Sequence, residues 1–134
     1  MSPSPASLDG LMVSRRSVRE FRERPVDRGT LESLLDLARR APTATNSQRL
    51  HWIVVDGAAK VRALSAATMQ WVREGTHWHS LLASWDAGRD PIMRGAPTAV
   101  AVCTPSDYDW GALDCAIALT FLELAAEARG IGVC

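Results

Sequence analysis

The sequence offers no disulfide framework, no membrane span and no excess of charge. Its three cysteines, Cys103, Cys115 and Cys134, are odd in number and include no C-x-x-C spacing. That argues against a disulfide scaffold or a zinc site and fits a reducing, cytoplasmic setting. Lys+Arg and Asp+Glu both total 15, so net charge is zero and no global field draws the chain to nucleic acid or a membrane surface. No apolar run approaches the roughly 20 residues that cross a bilayer. Residues 1–7 are rich in Ser, Pro and Ala, without a basic start and an apolar run behind it. They read as a flexible tail and not as a signal peptide. Internal repeats are absent. What remains, residues 8–134, suits one globular domain with a modest core.

Several kinds of chemistry are missing too. There is no Ser/His/Asp logic and no G-x-S-x-G. Gly130 and Gly132 follow a helical pattern, whereas a dinucleotide-binding glycine fingerprint opens one. His77 and His79 form H-x-H without a third ligand at a metal-binding spacing, so no metal is expected and both read as surface or lid residues. His51 opens a strand beside a polar loop and reads as structural.

What is present is arginine, concentrated. Residues 14–21 read Ser-Arg-Arg-Ser-Val-Arg-Glu-Phe, and with Arg22 and Arg24 they gather five arginines. A guanidinium fork matches phosphate oxygens and stays charged at any working pH. In an extended segment Arg15, Ser17 and Arg19 would leave on one face, and Arg16 and Val18 on the other. By itself the patch is equally a phosphate site or a solvated basic turn. Residues 41–48, Ala-Pro-Thr-Ala-Thr-Asn-Ser-Gln, supply a complement: small hydroxyls and two amides that can bond the polar edge of a flat heterocycle. By itself that loop is weak, because Asn and Ser in loops usually bond their own backbone.

Periodicity outlines the frame. Residues 8–13 suggest a helical turn or two. Asp27 is placed to cap a helix whose Leu31, Leu34, Leu35 and Ala38 share a face, with Arg39 and Arg40 in its last turn and Pro42 behind it. Residues 51–56 read as a strand. Residues 58–74 read as a helix with Val61, Leu64, Thr68 and Val72 roughly on one side, broken near Gly75 and Thr76. Trp71, Trp78 and Trp85 read as packing or an apolar lid. Residues 99–103 form a second strand. Residues 110–129 form a long helix capped by Asp109, with a stripe of Leu113, Ala116, Ile117, Thr120, Phe121, Leu124, Ala125 and Ala128. It is apolar nearly all round, which in a chain this small implies that a partner subunit covers one side. Gly130 is placed to end it.

In this order, the residue 14–21 motif, Pro25-Val26, residues 34–43, Asn46-Ser47-Gln48, Gly95-Ala96-Pro97, Asp114 and residues 125–132 resemble the nitroreductase family of flavoproteins. Arg49 stands where the family usually has proline. The resemblance implies an α+β fold, an α-β-α sandwich with a mostly antiparallel sheet flanked by helices and a long buried central helix. It implies a homodimer with FMN bound at the interface and NAD(P)H as reductant. By position, Arg15, Arg16, Ser17 and Arg19 would hold the phosphate, ribityl chain and pyrimidine edge, with Arg19 as the cation at that edge. Pro42, Thr43, Ala44, Asn46 and Gln48 would complete the site, the loop coming from the other subunit. The reaction would be ping-pong, to a small acceptor such as a nitroaromatic or quinone. No catalytic side chain is required, because the flavin carries the chemistry. Dehalogenation or flavin fragmentation are the alternatives within the flavoproteins, with substrate choice set by residues 69–89. A non-catalytic anion-binding module is the alternative outside them. The family continues beyond the Gly-x-Gly-x-Cys region, so this chain is expected to lack the C-terminal part and to turn over weakly or not at all alone.

Overall fold

The computed structural model describes residues 5–75 and 78–134, which fold into two compact units. In chain order the elements are α1 (Pro5–Ser14), α2 (Arg28–Ala38), β1 (His51–Asp56), α3 (Ala58–Gly75), α4 (His79–Asp86), β2 (Thr98–Cys103) and α5 (Gly111–Glu127), with a 3-10 turn at Ala44–Asn46. One unit comprises the residues up to Arg19, Asp27–Ile53 and Ala101–Cys134; the other comprises Glu20–Val26 and Val54–Val100. α1 begins at Pro5, inside the stretch that reads as a tail; proline at a first helical position has its φ preset. The expected break at Thr76 and the first histidine of H-x-H, His77, lie outside the described residues, as do residues 1–4.

In the first unit α2 packs on α5. Asp27 caps α2 as its position predicts, accepting from the Thr30 hydroxyl and, at 3.0 Å, from the Thr30 amide. Those bonds hold its carboxyl below the ordinary range. Leu31, Leu34 and Ala38 are buried. The helix stops at Ala38, so Arg39 and Arg40 stand just past it and share Asp36, at 2.7 and 3.1 Å.

Of its two apolar faces, α5 buries one within the chain. Its inward row is Gly111, Asp114, Ala118, Leu122 and Ala126. The predicted stripe lies opposite, and its Leu113 and Phe121 remain 54% and 41% exposed. Both faces are apolar, so periodicity alone could not choose; the small residues at 118 and 126 mark the side that a neighbouring helix approaches. Asp109 does not cap α5: Trp110 occupies the cap position, and Asp109 falls one residue too early. The other end closes as predicted. Gly130 takes φ 68°, its N–H reaches the Glu127 carbonyl, and Ile131 N–H reaches the Ala126 carbonyl at 3.0 Å.

β1 and β2 form an antiparallel pair. The Cys103 thiol reaches the His51 carbonyl at one end, in the first unit; Thr98 Oγ1 donates to Asp56 at 3.0 Å at the other, in the second. Among the described residues these two strands and five α-helices make an α+β fold, and no helix is long and apolar enough to cross a membrane.

In the second unit α3 turns Val61, Ser65, Met69 and Val72 inward, while Leu64 is 37% exposed. Ser65, on that buried face, donates its hydroxyl to Asp90 at 2.8 Å. Asp90 Oδ1 also accepts from Ile92 and Met93 N–H at 2.9 and 3.0 Å. Burial opposes the charge on Asp90, but the bonds from Ser65 and three backbone amides outweigh it and lower its pKa from 3.8. A carboxyl depressed by folding contributes stability that is present above its unfolded pKa and is lost as pH falls through the folded one. Asp90→Asn is therefore expected to flatten the loss of thermal stability below about pH 4, as read by melting at pH 7 and pH 3. α4 was not foreseen; its Trp85 lies under Arg62 at 5.6 Å. Trp71 and Trp78 are 67% and 62% exposed, so neither belongs to the core of the described residues.

Candidate functional site

The arginine segment leaves α1 without a clean change of period. Arg15 N–H still reaches the Leu11 carbonyl at 3.1 Å, so Arg15 follows the helix path and not the alternation expected of it. Its guanidinium turns to α5 and pairs with Glu123 at 2.9 Å. Beside it the Ser14 hydroxyl donates to Glu127 at 3.2 Å. Extended pairing starts at Ser17, which bridges Val133 in parallel, with Val18 N–H on the Val133 carbonyl at 2.9 Å. Val18 then lies over Gly132, where an added Cβ would stand 2.6 Å from Val18 Cγ2. Only a residue without a side chain admits that approach.

The result is a segment with Arg15 and Val18 turned inward and Arg16, Ser17 and Arg19 exposed. Arg16 donates to the Val13 and Arg15 carbonyls at 2.7 and 2.8 Å, a cation at the C-terminal end of α1. Arg19 enters no ion pair among the described residues. Arg22 and Arg24 belong to the second unit and are exposed.

The loop after α2 is strained. Thr45, Asn46 and Gln48 take φ of 53°, 54° and 50°, a left-handed backbone that costs non-glycine residues on the order of 1–3 kcal/mol each. Such a conformation persists only where surroundings impose it. Here Ala44 N–H donates to both oxygens of Asp114, at 3.1 and 3.2 Å, and Gln48 N–H donates to Thr43 Oγ1 at 3.1 Å. Ser47 Oγ lies 2.6 Å from the Tyr108 hydroxyl, which donates to Asp114 Oδ2 at 2.7 Å. With its proton on Asp114, the phenol oxygen accepts from Ser47. The Ser47 bond works to lower the Tyr108 pKa, but burial and the neighbouring Asp114 outweigh it, so the phenol is held protonated above its usual range. Arg49 lies over the Tyr108 ring at 5.4 Å. Pro42, Asn46 and Gln48 are exposed, Thr43 and Ala44 half-buried, and Asn46 accepts from the Gln48 amide at 2.9 Å. Asn46 and Gln48, with Arg39, Arg40 and Ala41, line an open depression of about 250 Å³.

Both segments are therefore fastened to α5, the loop at Asp114 and the arginines at Glu123. At 1.5 Å per residue those anchors are about 14 Å apart along the helix. Each set of sequence-predicted residues is gathered locally, but among the described residues no hydrogen bond joins one set to the other. Sequence reasoning missed Tyr108 altogether and treated Asp114 only as part of a resemblance. A lone carboxylate in the first turn of an otherwise apolar helix was the available signal.

Residues 12–134 match the Nitroreductase family profile. The chain is 31% identical over 146 residues to the 5,6-dimethylbenzimidazole synthase of Rhodospirillum rubrum, covering 94% of this chain and 66% of the synthase. A nitroreductase with bound FMN from Bacteroides fragilis superposes with TM-score 0.80 at 23% identity, over 93% of this chain and 66% of that one. The FMN-dependent nitroreductase NfnB of Mycobacterium smegmatis, in complex with NADPH, gives 0.72 at 25% identity, over 95% and 72%. The chain spans 54–66% of the lengths of the curated relatives it matches along most of its own length.

Proposed function

The chain belongs to the nitroreductase family, and from that premise we propose that it is an FMN-dependent oxidoreductase working between NAD(P)H and a small acceptor such as a nitroaromatic or quinone. One observation carries this reading: each chain holds, in a single compact unit, both kinds of half-site, an exposed Arg–Ser segment and a strained, amide-bearing loop. FMN offers the matching chemistry, a phosphate at one end and a polar heterocycle at the other. FMN-bound and NADPH-bound relatives support the cofactor and the reductant.

The residues fit such a group. Arg15 keeps guanidinium N–H groups beyond the one on Glu123, and Arg16 and Ser17 are exposed, so together they would hold the phosphate and ribityl chain. Arg19, exposed and in no ion pair among the described residues, would stand at the pyrimidine edge and favour negative charge there. Pro42, Thr43, Ala44, Asn46 and Gln48 would line the ring. The half-exposed outer face of α5 favours a homodimer in which the loop of one subunit completes the site begun by the arginines of the other. When bound, FMN supplies the hydride and electron transfer; the protein binds, orients and tunes it. Cysteine usage favours a cytoplasmic setting.

The test is anaerobic addition of NADH or NADPH to the flavin-loaded chain. Loss of the oxidised flavin's visible absorbance, restored by a nitroaromatic or quinone, is the expected result. A bound flavin that neither nucleotide reduces would move the reading to flavin chemistry of another kind, a course that the synthase relative also supports.

A further inference from the structure

Asp114 is the anomaly of α5. It is 2% exposed, in the same inward row as Ala118 and Ala126, and it enters no ion pair among the described residues. Burying a carboxylate without a cation is costly unless donors surround it. An alanine, as elsewhere in that row, would fill the position without that cost. The donors Asp114 has come from one direction. Ala44 N–H reaches both its oxygens, and Tyr108 O–H reaches Oδ2 while holding Ser47. The carboxylate thus grips the loop twice, directly at 44 and through the phenol at 47, on either side of the left-handed pair Thr45 and Asn46.

We propose that Asp114 is a positioning residue for the cofactor. Its carboxylate, with Tyr108 as relay, imposes the strained course of residues 44–48 and so sets where Asn46 and Gln48 stand toward the flavin ring. The proposal rests on the flavin reading above for what the loop binds, but not for what holds the loop.

Asp114→Asn keeps size and shape but places an amide where two donors converge; an unsatisfied or turned group follows. The variant is compared with the parent by amide hydrogen exchange, thermal melting, and titration with FMN and with riboflavin, which lacks the phosphate. Exchange at Ala44 is expected to accelerate at least tenfold while Val18, bonded to the Val133 carbonyl at the arginine segment, keeps its rate. FMN and riboflavin affinities are expected to fall by the same factor, about tenfold or more, because the ring end is disturbed and the phosphate end is not. Unchanged exchange at Ala44 overturns the proposal. So does acceleration at Ala44 and Val18 together, which is global loosening, or acceleration at Ala44 with riboflavin affinity intact. Should Asp114→Asn fail to fold, Tyr108→Phe removes only the relay and keeps the aromatic face under Arg49. It is expected to fold but to melt below the parent, because Asp114 loses one donor, and to bind riboflavin several-fold more weakly; unaltered binding overturns the proposal. A parent chain that binds neither flavin refutes the flavin reading, and the exchange result then decides the role of Asp114 by itself.

Discussion

Replacing Arg15 and Arg16 together with alanine is expected to weaken FMN binding by two to four orders of magnitude and to leave riboflavin binding nearly unchanged. The magnitude follows from charge-assisted bonds of about 1.5–3 kcal/mol each, two of them lost, with tenfold for every 1.4 kcal/mol. The selectivity follows if, of the three residues that would hold the phosphate and ribityl chain, the two guanidinium groups take the phosphate and Ser17 the ribityl hydroxyls. Fold stability is expected to change little. Arg16 is exposed, and its bonds to the Val13 and Arg15 carbonyls lie at the surface. Arg15 pairs with a Glu123 that is itself partly exposed, so removing it leaves no buried charge. Arg19→Ala should behave differently. It is assigned to the ring's pyrimidine edge, so both flavins should bind more weakly to it. Fluorescence titration of the two variants against the two ligands separates the roles.

Leu113→Glu with Phe121→Glu is expected to abolish self-association and flavin binding together. Leu113 and Phe121, with Trp110 at the cap, are 54%, 41% and 55% exposed in the single chain and lie on one side of the helix. Burying each such side chain contributes about 1.5–3 kcal/mol, so losing two, with two carboxylates set against an apolar partner, raises the dimer dissociation constant at least about a thousandfold. None of these side chains contributes to the buried row of α5, so the subunit itself should stay folded. Sedimentation velocity measures the association. Loss of flavin affinity in the same variant would follow from the proposed site, in which the loop of one subunit completes what the arginines of the other begin.

The frame was legible wherever a local rule was strong. The Asp27 cap, the six-residue strand from His51 and the Gly130 terminus stand where their chemistry puts them. Faces were harder. α5 is apolar on both sides, and which one the chain itself buries is a tertiary choice settled by small residues and by a buried carboxylate. α3 buries Ser65, which finds its partner at Asp90, distant in sequence. Arg15 followed the helix before it, since the alternation rule holds only once strand pairing has begun at Ser17. The loop's amides were visible as composition, whereas its strain and its grip by Tyr108 and Asp114 depend on residues more than sixty positions away.

The most direct test of the central claim is the ratio of FMN to riboflavin affinity for the unaltered chain, by fluorescence titration at fixed salt. The ratio isolates the phosphate and is independent of how tightly the ring is held. Saturable binding of both, with FMN tighter by about a hundredfold or more, is the predicted result and makes the arginine segment a phosphate site. Equal affinities, or no saturable binding of FMN, would contradict the account.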